Sequence, residues 1–333
     1  MATIKKQTLI CIGDVVMDAF IILEKASVHE HPDREHLEIC MPFADKIPYR
    51  SLTVMPAVGN ASNVAVGARR LGIDTSIITA VGNDYYGKEI LNWYRREKVG
   101  TKFVKINNGK PTNYHFVLNY GPERTILIKH EDYEYADPAR MGAPDWIYFS
   151  SIGEHTLGFH EKVAKYLAAH PNVKMAFNPG TFQLKFGPKK LKKIYERSYA
   201  LFVNREEAEL ILGAKRDNIK ELLSGLRKLG PKVVVITDGS LGAYASDDDS
   251  CYFMPPYPDP KAPVSRTGAG DAFSSGFLSG LIYGLSVPEA LKWAPIESMH
   301  VVQYFGAQTG LLTKPELLKL LKKAPKGYQS KFI

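Results

Sequence analysis

Short, continuous apolar runs bounded by Gly, Pro, Asn or Asp recur along the chain, with helical patterns between several of them. That rhythm constrains the fold more than any other feature. The runs fall at residues 9–12, 74–81, 146–149, 173–177, 201–203 and 233–237, and residues 61–71 and 88–97 read as helices. A strand that is apolar at every position is buried on both faces, and such strands belong to parallel sheets covered by helices on each side. Two segments break the alternation. Residues 37–54 and 114–128 read as strand pairs with turns, the second around Asn119-Tyr120-Gly121-Pro122, and predict a small antiparallel sheet projecting from the main domain.

The length of 333 residues fits two domains or one large α/β unit. No apolar run approaches the roughly 18 residues that a membrane-spanning helix needs. The N-terminus MATIKKQTLICIGD reaches a strand-like run at once and carries no small-residue cleavage site, so export is not expected. Cys11, Cys40 and Cys251 are widely separated and lack metal-type spacing, which fits a reducing cytoplasm without a disulfide framework. The net charge of +8 comes from residues 185–197 and the tail 314–333, each with six basic residues and one acid. Neither stretch interleaves aromatics as nucleic-acid binders do, so no nucleic-acid partner is expected. The polar cluster Ser246-Asp247-Asp248-Asp249-Ser250 reads as a hairpin tip rather than a calcium loop, having no EF-hand spacing.

The densest chemistry lies in Ser265-Arg266-Thr267-Gly268-Ala269-Gly270-Asp271-Ala272-Phe273, which runs into a small-residue helix, Ser274-Ser275-Gly276-Phe277-Leu278-Ser279-Gly280. A Gly-Ala-Gly turn at a helix start exposes amides with no intrahelical partner. With the positive end of the helix dipole they make an anion site suited to a phosphoryl group. Asp271, in the first turn, is placed to accept the proton of an attacking hydroxyl. Read by itself, the segment also fits a glycine-rich loop with an aspartate cap. It is not a Walker A loop, and Phe273 stands where the Rossmann fingerprint requires its third glycine.

This segment resembles the C-terminal signature of the ribokinase-like, or PfkB, carbohydrate kinases. Further matches follow in order: Gly13-Asp14-Val15-Val16-Met17-Asp18 after the first strand, and Gly59-Asn60-Ala61-Ser62-Asn63-Val64-Ala65 with Gly72 and Gly82. Asn204-Arg205-Glu206-Glu207 matches the Asn-x-x-Glu motif, Thr237-Asp238-Gly239-Ser240-Leu241-Gly242 the T-x-G-x-x-G turn, and Gly306-Ala307 a late nucleotide-site turn. The resemblance covers roughly residues 8–320, and the ordered set is far more specific than any one motif. It implies a ribokinase-like, Rossmann-type three-layer α/β fold with a mostly parallel central sheet and a small antiparallel β lid. The whole of 1–333 would be one kinase domain with lid strands inserted at about 37–54 and 114–128.

The resemblance also implies roles. Asp271 would be the catalytic base, with the backbone of Gly268, Ala269 and Gly270 as anion hole. Asn204 and Glu207 would orient Mg2+ and its waters near the phosphates of ATP, although the same pair also fits a helix capping box. Thr237, Gly239, Gly242 and Gly306 would line the nucleotide site. Asp18, Gly59, Asn63 and Glu154 would meet the acceptor, and Asp14 would support the loop. The acceptor would be a primary hydroxyl of a sugar, or, as the alternative, the ribose 5′-hydroxyl of a nucleoside whose base sits among Phe43, Tyr49, Tyr114 and Phe116. A non-catalytic ligand-binding regulator with the same fold is the reading from another class, and a mere binder has no need of a base. Lid-to-lid pairing into a homodimer would cover the exposed lid edges.

Two departures bear on this. Val58 replaces the first glycine of the family's Gly-Gly hinge and lacks glycine's backbone freedom. Arg266 stands where a small or β-branched residue is usual; it suits a phosphate or an acidic substrate, and it puts in question the monovalent-cation site that relatives build there. His29, His31 and His36, interrupted by Pro32 and flanked by Glu30, Asp33 and Glu35, read as a loop approaching the lid rather than a metal cluster.

Overall fold

A computed structural model of the chain describes residues 7–31, 37–121, 123–213, 218–248 and 250–333. The apolar runs assemble into one sheet. From edge to edge its order is Lys331–Phe332, Ser250–Met254, Ala243–Asp247, Val233–Thr237, Ser198–Asn204, Lys174–Phe177, Trp146–Phe149, Thr8–Ile12, Asp74–Gly82 and Gly100–Asn107. The seven strands from Val233–Thr237 to Gly100–Asn107 are parallel, and the three at the other edge are antiparallel.

Alternate residues of each central strand feed two separate cores, as the two-residue period of a strand requires. Leu9, Cys11, Val233 and Val235 pack on one face, under the helices Asn60–Arg70, Ala269–Ile282 and Val287–Val301. Ile10, Ile12, Val234 and Ile236 pack on the other, under Leu157–Ala169, Arg205–Leu212 and Ile219–Arg227. The small residues of Ala269–Ile282 have a steric reason. A side chain at Gly276 would lie 3.1 Å from Ala294 Cα, and one at Gly280 would lie 2.9 Å from Ala290 Cβ. Glycine there lets Ala269–Ile282 and Val287–Val301 approach backbone to backbone.

The projecting sheet exists but is built differently from the sequence expectation. Its order is Tyr49–Val58, Val16–Leu23, Tyr114–Tyr120, Glu123–Leu127. Residues 37–54 do not pair with each other: Leu37–Cys40 forms a separate hairpin with Ser27–Glu30, and Tyr49–Val58 pairs with Val16–Leu23. That last strand had no sequence signal of its own, because its core residues run straight on from the Gly13-Asp14 turn. It pairs in parallel with Tyr114–Tyr120, so one of the sheet's three pairings is not antiparallel. Pro32, Asp33, Glu35, His36, Pro122 and Asp249 lie outside the described residues. His29 bonds Ser27 within its own hairpin, and Asp247 pairs with Ser250 across the hairpin that carries the acidic tip.

Glu297 is the most deeply buried acid of the described core. It is fully enclosed on Val287–Val301; one carboxylate oxygen accepts the Leu312 N–H at 3.3 Å and the other has no partner. Burial pushes its pKa up to about 8, against a smaller opposing pull from Leu312 N–H and Arg70. The folded state therefore holds this proton more tightly than the unfolded chain does. Its contribution to stability is present at low pH and declines as pH rises from the ordinary glutamate range towards 8. Glu297→Gln removes the titration: the variant should melt above the wild type at pH 8, by about 2–4 °C for each kcal/mol recovered. The gap should close at pH 5, and calorimetric melting at the two pH values checks it; an equal gap at both contradicts a buried titrating acid.

Candidate active site

The sheet register brings distant motifs together. Asn204 and Thr237 end adjacent parallel strands and stand side by side, and the turn after Thr237 is tied to the neighbouring helix by Arg205, 3.1 Å from Asp238. Facing them is the start of Ala269–Ile282. A cleft of about 450 Å³ lies between, lined by Asn204, Glu207, Thr237, Gly239, Arg266, Gly268, Ala269, Gly270 and Asp271, and by Asn60, Arg124 and Ser274 among others. Open α/β sheets place ligands at such strand ends.

Gly268 caps the helix in the left-handed region at φ 80°. The first intrahelical bond runs from Ala272 N–H to Gly268 O at 2.8 Å, so the amides of Gly270 and Asp271 precede the ladder and point along the positive end of the dipole. Ala269 N–H turns back to Arg266 O at 3.4 Å, a weak bond that closes the turn. A side chain at Gly268 would collide with Ala307, which seats the loop against the late Gly306-Ala307 turn.

Asp271 is buried. Its two oxygens accept from Asn60 Nδ2 at 3.0 Å and Asn63 Nδ2 at 2.7 Å. Burial raises its pKa above the ordinary aspartate range, against the opposing pull of the two amides. The Asn63 amide is itself oriented: its oxygen accepts from Gln308 Nε2 at 2.9 Å, Gln308 also donates to Ala57 O at 2.6 Å, and Trp93 Nε1 donates to Gln308 Oε1 at 2.7 Å. Gln308 and Trp93 were not singled out in the sequence. No motif marks them, because their part is to fix an amide rather than to face the cleft.

Asn204 and Glu207 form a reciprocal capping box, Glu207 N–H to Asn204 Oδ1 at 2.8 Å and Asn204 N–H to Glu207 Oε2 at 2.9 Å. They cap the helix and line the cleft at once. Glu207 is raised by burial and, more weakly, by the negative charge of Asp271. Among the described residues no three His, Cys, Asp or Glu side chains cluster as a metal cage. Two carboxylates facing one cleft nevertheless fit a divalent cation held mainly by phosphates and water.

The other expected residues lie elsewhere. Gly242 is buried behind the cleft, where a side chain would lie 3.0 Å from the Phe253 ring. Gly306 adjoins lid residue Met55, whose sulfur leaves no room for a side chain there. Gly59 packs on the Asp14 carbonyl at φ 132°. Asp18 sits on the lid strand beside His115, and Glu154 lines a second cavity of about 320 Å³. Asp14 accepts from the Tyr135 hydroxyl, a supporting contact. Phe43, Tyr49 and Phe116 are exposed, and Tyr114 packs on Tyr86, so these four do not form one enclosed slot. Arg124, from the lid strand Glu123–Leu127, was missed; a lone arginine in a turn-rich segment gives no sequence signal.

The profile of the pfkB family carbohydrate kinases matches residues 7–314. The chain belongs to that family. It is accordingly a phosphotransferase with an alcohol group as acceptor, and kinases of this family take ATP as co-substrate. It is 29% identical to a ribokinase of Bacillus subtilis over 271 residues, which span 79% of this chain and 87% of that protein. It is 26% identical to a nucleoside kinase of Methanocaldococcus jannaschii over 325 residues, 96% of this chain and 98% of that protein. The fold superposes on a ribokinase of Giardia lamblia with a TM-score of 0.78 at 21% identity, covering 96% of this chain and 99% of the other. Among the described residues no helix is long and apolar enough to cross a membrane.

Gln308→Leu should strip the buried partner from Asn63 Oδ1 and unpair the half-buried Trp93 indole, while Ala57 O keeps the Ser62 hydroxyl. Each buried group left unpaired costs about 1–3 kcal/mol, so urea unfolding should show a loss of at least that size. A variant as stable as the wild type would contradict the relay.

Proposed function

We propose that the cleft transfers the γ-phosphate of ATP to a hydroxyl of a sugar or sugar-like acceptor, with Asp271 as general base. The carrying observation is the Asp271 carboxylate itself: buried, raised in pKa, steered by two asparagine amides and set against unpaired helix amides. A raised pKa makes it a better proton acceptor, and burial is justified only if the carboxylate has a task. The Gly268–Gly270 turn receives the charge that grows on the transferring group, and Arg266 and Arg124 supply positive charge from the loop and the lid. Thr237 and Gly239 flank the nucleotide. Asn204 and Glu207 are the residues that would hold Mg2+ through its waters, and the ion would neutralise phosphate charge. Asp18, Gly59 and Asn63 lie towards the acceptor, with Glu154 beyond them.

A nucleoside acceptor is the second reading. The near full-length match to an archaeal nucleoside kinase favours it, as against the shorter match to a ribokinase. Asp271→Asn should lower kcat by about 10²–10⁴-fold, as loss of a general base does. Nucleotide affinity should be little changed, as measured by coupled ADP release and by titration with ATP. Activity within threefold of wild type would remove Asp271 from the role of base.

One face of the lid sheet carries exposed apolar residues: Leu52, Val54, Phe116 and Leu127. We read this face as the contact for a second copy of the chain, which would cover the open edge of Glu123–Leu127. Sedimentation equilibrium should give a dimer at micromolar concentration, and Leu52→Asp combined with Leu127→Lys should give a monomer. A wild type that remains monomeric overturns the pairing.

A further inference from the structure

Beside Asp18 the lid and the strand ends enclose a polar cluster in which two histidines have no part assigned so far. Asp18 and His115 are direct neighbours in the parallel register of Val16–Leu23 and Tyr114–Tyr120. His115 Nδ1 stands 3.6 Å from Asp18 Oδ1, and His130 Nδ1 stands 3.6 Å from Asp14 Oδ2. The two imidazoles meet edge to face, with ring centroids 5.2 Å apart, and His130 meets Phe182 in the same way at 5.7 Å.

Each dyad is slightly too long for a hydrogen bond. Asp18 Oδ1, His115 Nε2, His130 Nδ1 and Asn113 Nδ2 are all buried without a partner. The Asn113 amide oxygen accepts Glu131 N–H at 2.8 Å, which ties it to the segment carrying His130. Four orphaned polar atoms in one place are costly, since each forfeits about 1–3 kcal/mol unless a ligand or water satisfies it. The histidines also join two regions that otherwise lie apart. Asp18 and His115 are on adjacent lid strands, and His130 lines the 320 Å³ cavity that holds Glu154, Glu131, Asp132, Tyr133, Tyr135 and Phe182.

We propose that His115 and His130 are specificity-determining residues of the acceptor subsite, which runs from Asp18 into the Glu154 cavity and selects an acceptor with no anionic group. The assignment rests on the kinase reading and narrows its substrate class. The walls carry Asp14, Asp18, Asp132 and Glu154, with no lysine or arginine among the residues lining the cavity. Glu131 is paired with the largely exposed Lys129 at 2.7 Å, and Lys110 bonds the Asp132 carbonyl from outside. A phosphorylated sugar would bring a dianion against this wall. A hydroxyl- or amine-bearing neutral group instead offers donors to the carboxylates. Burial and the neighbouring His130 hold His115 down at about 4, so at neutral pH its ring offers one donor and one acceptor nitrogen, the pair that reads a hydroxyl.

Two readouts test this together. Coupled ADP release with Mg-ATP is measured for ribose, fructose, adenosine and fructose 6-phosphate, and calorimetry without nucleotide measures binding of the same four compounds. An unphosphorylated compound should be preferred. His115→Phe and His130→Leu should each raise its KM and its Kd at least tenfold with the KM for ATP within twofold, and His130→Asn should recover part of the loss. Glu154→Gln, at an exposed position, serves as the variant that folds if both histidine changes destabilise the lid, and should raise the acceptor KM at least threefold. Preference for fructose 6-phosphate, unchanged acceptor constants in the variants, or binding of none of the four overturns the subsite. Binding that the variants weaken, without any transfer, retains the subsite and removes the kinase reading instead.

Discussion

The contact on which the site depends is the one between two helix starts. Asp271 opens Ala269–Ile282, Asn60 and Asn63 open Asn60–Arg70, and the carboxylate accepts from both amides. Such a contact needs the two helices to lie unusually close. Gly67 provides that closeness, since a side chain there would lie 2.8 Å from Ser275 Cβ. The glycines and serines of Ala269–Ile282 are therefore not an incidental composition. They let a glycine-rich helix start, a buried carboxylate and its two orienting amides occupy one corner of the molecule.

That corner is also where the lid attaches. Val16 and Val58, from two lid strands, pack with Ala307 and Met55 in a small apolar cluster of their own. Ala307 lies against Gly268, the residue that starts the glycine-rich turn before Asp271. Val58 does not act as a glycine substitute. The left-handed backbone around it falls on its neighbours, Ala57 at φ 59° and Gly59 at φ 132°. A non-glycine residue in that region costs about 1–2 kcal/mol. Here the Ala57 carbonyl accepts from both the Ser62 hydroxyl and the Gln308 amide, which holds the conformation. The lid root and the Asp271 orienting chain therefore share Gln308, and a movement of one strand end reaches both.

What could be read from the sequence follows from how local each determinant is. Trp146–Phe149 and Val233–Thr237 form as expected to the residue, because a short apolar run of four or five residues closed by turn residues is too brief for a helix and fits a doubly buried strand. The Gly268–Asp271 turn was legible for the same reason: its chemistry lies in consecutive residues. Val16–Leu23 was not, because it follows the first strand with only a short turn between them, and its partners come from residues 49–58 and 114–120. Gln308, Trp93, His115 and His130 were equally invisible. Each acts through a partner far away in sequence, such as Trp93 on Gln308 across 215 positions. No periodicity or spacing encodes a contact of that range.

Charge then divides the molecule's two clefts in a way that composition could not anticipate. The +8 excess belongs to a surface helix stretch and the tail, while the cleft beside Asp271 draws its positive charge from single arginines at 124 and 266 and from helix amides. The neighbouring cavity has acids and imidazoles instead. Asp271 takes its two hydrogen bonds from neutral amides rather than from a lysine or arginine. A cationic partner would hold that carboxylate ionised and weaken its appetite for a proton, whereas neutral amides orient it and leave its basicity largely to burial.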